Sequence, residues 1–239
     1  MTENCCEYEW LRQNIREVRQ KIQEAAEKAG RSPSEITLLG VTKTVSQEIV
    51  AQALDMGITE IGENKVQEML AKQPYLQAKP HRTHIIGHLQ TNKVKYLPGK
   101  ADMIQSVDSI RLADKIESVY AAAGLTAEVL VEVNIGEEAG KTGAAPQDTE
   151  LLCAHIMGLA HLRLKGLMTI PPVCQGDGVR NYFAKMYQLF VDIKTKKLDN
   201  KDIDILSMGM SGDFEYAILE GSTMVRVGTS LFGKRHYDI

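Results

Sequence analysis

The sequence predicts a closed (β/α)₈ barrel with one extra helix at its N-terminus. Eight apolar runs of strand length alternate with amphipathic helical stretches along 239 residues, close to the ~250 typical of such barrels. Several of the runs, "AEVLVEV" and "LRLKGLMTI" among them, are continuous rather than alternating, as parallel strands covered by helices require. The turn after the first strand, "KTVSQ", has no GxGxxG pattern. That weakens the competing doubly wound open sheet, which usually carries a glycine-rich turn there.

The elements follow in order. Trp10, Leu11, Ile15, Val18, Ile22, Ala25, Ala26 and Ala29 recur at helical spacing until Gly30 stops the pattern. Strands are expected at 36–43, 59–63, 83–87, 103–107, 127–134, 162–170, 203–208 and 224–230. Helices are expected at 46–56, 65–77, 92–97, 109–123, 147–157, 179–197 and 213–219. No Pro/Gly/Ser-rich linker, repeat or low-complexity tract divides the chain. A single domain over 1–239 is therefore expected, with residues 1–30 packed on the barrel as a helix. The chain ends at Ile239, soon after the eighth strand, so no eighth helix is expected. The N-terminal helix is expected to take its place in the outer ring.

Composition narrows the function. The chain is 44% hydrophobic and 25% charged, with a net charge of −3 and both signs interspersed. That makes no electrostatic case for nucleic acid or an anionic membrane. No apolar stretch reaches the ~20 residues that span a bilayer, and "MTENCCEYEW" lacks the pattern of a secretion signal. Cys5, Cys6, Cys153 and Cys174 show no CxxC spacing and read as reduced thiols of a cytoplasmic protein. A monomer is expected.

Active sites of this fold sit at the C-terminal ends of the strands. Lys43 ends the first strand, Asn64 follows the second, Asn134 ends the fifth and Met168 lies late in the sixth. "SMGMSGD" closes the seventh strand, and Arg226, Gly228 and Thr229 are placed in the eighth. The loops after strands seven and eight are the usual phosphate site of such barrels. Ser211 and Gly212 in one loop, Gly228 and Thr229 in the other, fit that role, since small residues admit backbone N–H groups to a ligand. A purely structural role, with Ser211 capping a helix and Gly228 relieving crowding, is the alternative. A lysine opposite a phosphate site could hold both ends of a phosphorylated aldehyde. Arg226 points inward if Val225 and Val227 face the helices, and a buried guanidinium needs an acceptor.

Three other patterns carry little. His84 and His88 run from strand into loop without an acidic third ligand, so no metal site is expected. "KTKK" at 194–197 suits a helix C-terminus better than nucleic acid. "GEEAGKTG" is one residue short of a P-loop, so no nucleotide site is expected there.

Seven ordered motifs then carry a family resemblance over nearly the whole chain: "GVTKT", "IGENKVQE", "HIIGHLQTNK", "VNIGEEAGKTG", "KGLMTIPP", "SMGMSGDFEYAI" and "GSTMVRVGTSLFG". Together they resemble the pyridoxal-phosphate-binding homeostasis proteins, the YggS/PROSC family, whose fold is related to the N-terminal barrel of alanine racemase. The resemblance implies pyridoxal 5′-phosphate (PLP) as a Schiff base on Lys43, phosphate contacts from Ser211, Gly212, Gly228 and Thr229, and Arg226 facing the pyridine nitrogen. It also implies that Asn64, His84 and Met168 line the cofactor pocket, and that "GEEAGKTG" is an ordered loop over the mouth, with Lys141 reaching inward. The implied role is PLP homeostasis or delivery to apo PLP-dependent enzymes, without a catalytic residue. Alanine racemase draws its second base, a tyrosine, from an additional domain that is not expected here; Tyr237 would be a poor substitute. Two alternatives stay open: a racemase-like enzyme using the barrel alone, and a class I aldolase using Lys43 on a phosphorylated substrate.

Overall fold

The computed structural model describes residues 7–174, 176–196 and 203–233. Its eight strands are β1 (Thr37–Val41), β2 (Glu60–Glu63), β3 (Arg82–Ile85), β4 (Met103–Val107), β5 (Ala127–Val133), β6 (Leu162–Thr169), β7 (Ile205–Ser207) and β8 (Met224–Val227). Each pairs in parallel with the next, and β8 returns to β1 through registers such as Leu39 with Arg226, closing the barrel. The helices are α1 (Glu9–Lys28), α2 (Gln47–Asp55), α3 (Val66–Leu76), α4 (Ile110–Ala123), α5 (Pro146–Met157), α6 (Arg180–Thr195), α7 (Phe214–Leu219) and α8 (Thr229–Phe232). Among the described residues, no helix is long and apolar enough to cross a membrane.

The structure corrects three expectations. β8 ends at Val227, so Gly228 and Thr229 lie beyond the strand, and Thr229 opens a one-turn helix, α8, where none was expected. Thr42 and Lys43 likewise sit past the end of β1. Between β3 and β4 the outer ring holds only a 3₁₀ segment, Thr91–Tyr96, instead of an α-helix. Side chains three apart eclipse in such a segment, and it covers less of the sheet than a full helix would.

The helix-facing residues form two apolar clusters. The larger wraps β3 to β7 beneath α3 to α6, and the smaller joins α1 and α2 to β8 and α7. In the smaller cluster Leu11, Ile15, Val18 and Ile22 of α1 pack with Val225, Val227, Ile218 and Leu231. α1 thus lies against α7 and α8, on the flank of the ring where a long eighth helix would run. Trp10, counted on the apolar stripe from sequence, is 40% exposed instead.

Leu11 has no solvent-exposed surface, and its pocket is built from several elements. Replacing it with alanine should cost about 2–5 kcal/mol, as a cavity between rigid elements does. Denaturant melts of Leu11→Ala measure this. An unchanged midpoint would show that α1 rests on the barrel without stabilising it.

Candidate active site

A cavity of about 370 Å³ opens at the C-terminal ends of the strands, and Lys43 lies in its wall. The neighbours of Lys43 are held from below. Thr42 is fully buried and its Oγ1 donates to Glu63 Oε1 at 2.6 Å. Lys72 Nζ of α3 donates to both Glu63 Oε1, at 2.7 Å, and the Thr42 carbonyl, at 2.6 Å. On the other side Thr44 adopts φ 61, a left-handed conformation rare for a β-branched residue. Its N–H donates to Glu68 Oε2 of α3 at 3.0 Å, which offsets part of a strain of ~1–3 kcal/mol. α3 therefore grips the chain immediately before and after the lysine.

The β7 and β8 loops, next to β1 in the ring, bring Ser211, Gly212, Gly228 and Thr229 to the wall of the same cavity. Ser211 does not cap α7. Its Oγ instead accepts from the backbone N–H groups of Gly228, at 3.1 Å, and Ser230, at 3.3 Å. Two backbone donors thus converge on one oxygen, the arrangement that a phosphate oxygen would use. A Cβ at Gly212 would meet nothing within 4 Å, so the backbone there stands open. Asn64, just past β2, stands on the other flank of Lys43, held close to β3. A Cβ on Gly87 would come within 2.6 Å of the Asn64 carbonyl, so only glycine fits at that crossing.

Arg226 lines the cavity from below, 3% exposed, because Val225 and Val227 take the helix-facing positions. Its Nη2 donates to the Thr169 carbonyl at 2.8 Å and its Nη1 to Ser207 Oγ at 2.7 Å. Ser207 Oγ passes the pattern on to Gln105 Oε1 at 2.8 Å. Gln105 Nε2 meets His84 Nδ1 at 2.8 Å, and His84 Nε2 meets Glu60 Oε2 at 2.5 Å. With Gln105 donating, His84 carries its proton on Nε2 and gives it to the carboxylate. One chain of donors therefore crosses the barrel from Arg226 to Glu60.

That network relocates two expected pocket residues. His84 is fully buried in the filled interior and does not line the cavity. Met168 is also fully buried, packed with Met103 and Leu130 beneath the mouth. Asn134 is another departure: its side chain braces its own loop, exchanging bonds with Glu138. Lys141 turns to Glu138 as well, and Thr142 is the loop residue that reaches inward. Glu132 escaped the sequence reading because "AEVLVEV" carries two acids, Glu128 and Glu132, on one face, and nothing in the pattern shows that the second reaches the mouth. Among the described residues, no cluster of three histidine, cysteine or acidic side chains could hold a metal ion. Cys5, Cys6 and Tyr237 lie outside the described residues.

A lysine, a two-loop anion cradle and a buried arginine at the mouth of an eight-stranded barrel define a class: barrels that hold a phosphorylated carbonyl compound. The family model for the alanine racemase N-terminal domain matches residues 9–236. The pyridoxal phosphate homeostasis protein of Aquifex aeolicus is 42% identical over 98% of this chain and 100% of its own length. A protein of unknown function from Bifidobacterium adolescentis superposes with TM-score 0.86 at 36% identity, over 93% of this chain and 94% of that one. PipY of Synechococcus elongatus, solved with PLP bound, gives TM-score 0.76 at 30% identity, over 89% of this chain and 100% of that one. The chain belongs to the pyridoxal phosphate homeostasis protein family, within the alanine racemase N-terminal domain fold.

Three charged groups set the field inside the cavity. Burial pulls Arg226 down to about 10, with Glu132 and Asp213 holding it up, so it stays charged at neutral pH. Glu132 is 5% exposed and lies in the cavity wall; Oε1 accepts from Thr142 Oγ1 at 2.7 Å, while Oε2 has no partner. Burial raises its pKa, and Thr142, Arg226 and His88 only partly oppose that. A carboxyl raised in the folded state binds its proton more tightly there than in the unfolded chain. Its stability contribution is therefore greatest below the usual carboxylate range and declines as pH rises through the raised value. Glu132→Gln, permanently neutral, should exceed the parent in stability at pH ~8 and lose that advantage by pH ~4. Denaturant titrations of the cofactor-free protein check this; parallel pH profiles would show that its charge is not disfavoured.

Proposed function

We propose that this protein binds pyridoxal 5′-phosphate reversibly, covalently through Lys43, and serves PLP homeostasis or delivery to apo PLP-dependent enzymes. One observation carries the reading: Lys43 and the Ser211–Gly228 cradle face one cavity over a charged arginine. The names of the relatives and the PLP in the PipY structure support it. Bound PLP would supply an aldehyde for the lysine and a pyridine ring able to take up negative charge.

The residues divide the work. Gly228 and Ser230 present N–H groups to the phosphate once the Ser211 hydroxyl yields them, and Gly212 and Thr229 border the same space. Asn64 shapes the wall beside Lys43. Arg226 faces the ring nitrogen as a donor, having no lone pair to accept a proton. A ring nitrogen facing it must accept, and so stays unprotonated. That weakens the ring as a sink for carbanion charge, which suits a holder of the cofactor better than a dedicated catalyst. His84 and Met168 act below the pocket, by supporting Arg226 and filling the barrel. We further propose that the chain works as a single domain, as a cytoplasmic monomer, and without nucleic acid or membrane as partner.

Adding PLP should produce a visible absorbance band. Borohydride should then fix the cofactor's mass on the peptide containing Lys43. Lys43→Ala should abolish both while the circular dichroism stays that of the parent; a band that persists removes Lys43 from the role.

The racemase reading is tested separately. Incubation of the PLP-loaded protein with L-alanine, followed by chiral separation, should show no more D-isomer than free PLP produces. Turnover beyond that level would make the protein an enzyme.

A further inference from the structure

A second cavity, also about 370 Å³, lies on the flank of the barrel, away from the mouth. The β3–β4 connection, which gives Gly99, Lys100 and Ala101 to its rim, holds the 3₁₀ segment Thr91–Tyr96 instead of an α-helix. α3 and α4 therefore flank a gap in the outer ring, and the cavity occupies it. Its floor is buried: Ile61 and Glu63 of β2, Met69, Lys72 and Leu76 of α3, and Tyr120 of α4.

Two features mark this floor as a built site. Glu63 is 1% exposed and Tyr120 2% exposed, yet Glu63 Oε2 and Tyr120 Oη have no hydrogen-bond partner. Buried polar atoms left in this way cost ~1–3 kcal/mol each, so a folded chain rarely carries two beside one cavity without use. The charges on the floor cancel, because Lys72 Nζ pairs with Glu63 Oε1 at 2.7 Å. On the rim, Lys100 stands against Asp102. An ion entering the cavity would find no surplus charge to receive it. A neutral molecule would find a carboxylate oxygen needing a donor, a phenol needing a partner, and an apolar wall of Ile61, Met69 and Leu76.

The cavity also shares its wall with the grip on Lys43. Met69, Lys72 and Leu76 face the cavity, while Lys72 and Glu68 of the same helix hold Thr42 and Thr44. Pro74 lacks the N–H that would bond the Leu70 carbonyl, so the last turn of α3 can shift more readily than a regular one.

We propose that this flank cavity is a regulatory site for a small neutral molecule, one ring in size, bearing both a hydrogen-bond donor and an acceptor. Its occupancy is transmitted through α3 to Lys43. The site itself does not depend on the PLP reading; only its purpose does.

Benzamide is a suitable probe, with benzoate and benzylamine as charged counterparts of similar shape. In the cofactor-free protein, benzamide should shift the methyl resonances of Met69 and Leu76 to saturation, and the two ions should not. Tyr120→Phe keeps the ring and removes only the unpartnered hydroxyl, so the variant should be at least as stable as the parent and lose the saturable shift. Glu63→Gln should weaken binding too, but it disturbs Lys72, so Tyr120→Phe decides. Coupling is read without PLP, as the rate at which trinitrobenzenesulfonate labels the Lys43 peptide. Saturating benzamide should change that rate about fivefold or more in the parent, and not in Tyr120→Phe. Absence of a saturable shift, equal binding of either ion, or full binding by Tyr120→Phe overturns the site. Binding with an unaltered Lys43 rate overturns the coupling. Neither result bears on whether Lys43 carries PLP, which the spectrum of the loaded protein settles alone.

Discussion

Arg226 is a charge at the centre of a barrel, and much of the interior is arranged to tolerate it. An isolated guanidinium in such a place would cost several kcal/mol. Here the charge meets Glu132 and Asp213 and feeds a chain through Ser207, Gln105 and His84 to Glu60. Five strands contribute, so no strand can slip in register without breaking the chain. Its end, Arg226, lies in the floor of the cavity, with Ser207, Gln105 and His84 buried beneath. Through Arg226 the chain presents donors to the cavity from below.

Lys43 is treated in the opposite way, through its backbone. The sequence places a threonine on each side of it, and the structure uses both. Thr42 is pinned through its carbonyl and hydroxyl, Thr44 through its N–H in a strained conformation. The restraints come from α3, so the reactive position depends on how that helix packs. Glu63 and Lys72, buried as a pair, set that packing, and burial still raises Glu63 despite its partner. The same helix borders the gap left by the short β3–β4 connection, which ties the mouth of the barrel to its thinnest flank.

Much of this was legible in the sequence, for physical reasons. Continuous apolar runs such as Ala127–Val133 betray strands covered on both sides, and eight of them in alternation leave few topologies. Lys43, Asn64, Ser211 and Arg226 were readable because strand ends in this fold converge. What was not legible depends on direction rather than type. His84 stands in a motif that reads "HIIGH", but a pleat sends it inward to Gln105 and Glu60 instead of up to the mouth. Met168 is one pleat too deep for the same reason. Gly228 and Thr229 continue the apolar run of β8, and nothing in "RVGTSLFG" shows that the backbone turns at the glycine. The "TNKVKY" segment has helical character whether it winds as an α-helix or more tightly, so the gap it leaves could not be foreseen.

The direction of the interior chain bears on what Arg226 can present to a ligand. A guanidinium can only donate, and the carboxylate at the far end can only accept, so the orientation of every group between them is fixed. Ser207, Gln105 and His84 have no alternative arrangement that would let Arg226 receive a proton. Whatever faces Arg226 from the cavity must therefore supply a lone pair. A pyridine nitrogen does so readily, and a pyridinium cannot. The donor character of the arginine at the cavity is thus upheld by an interior network that spans five strands.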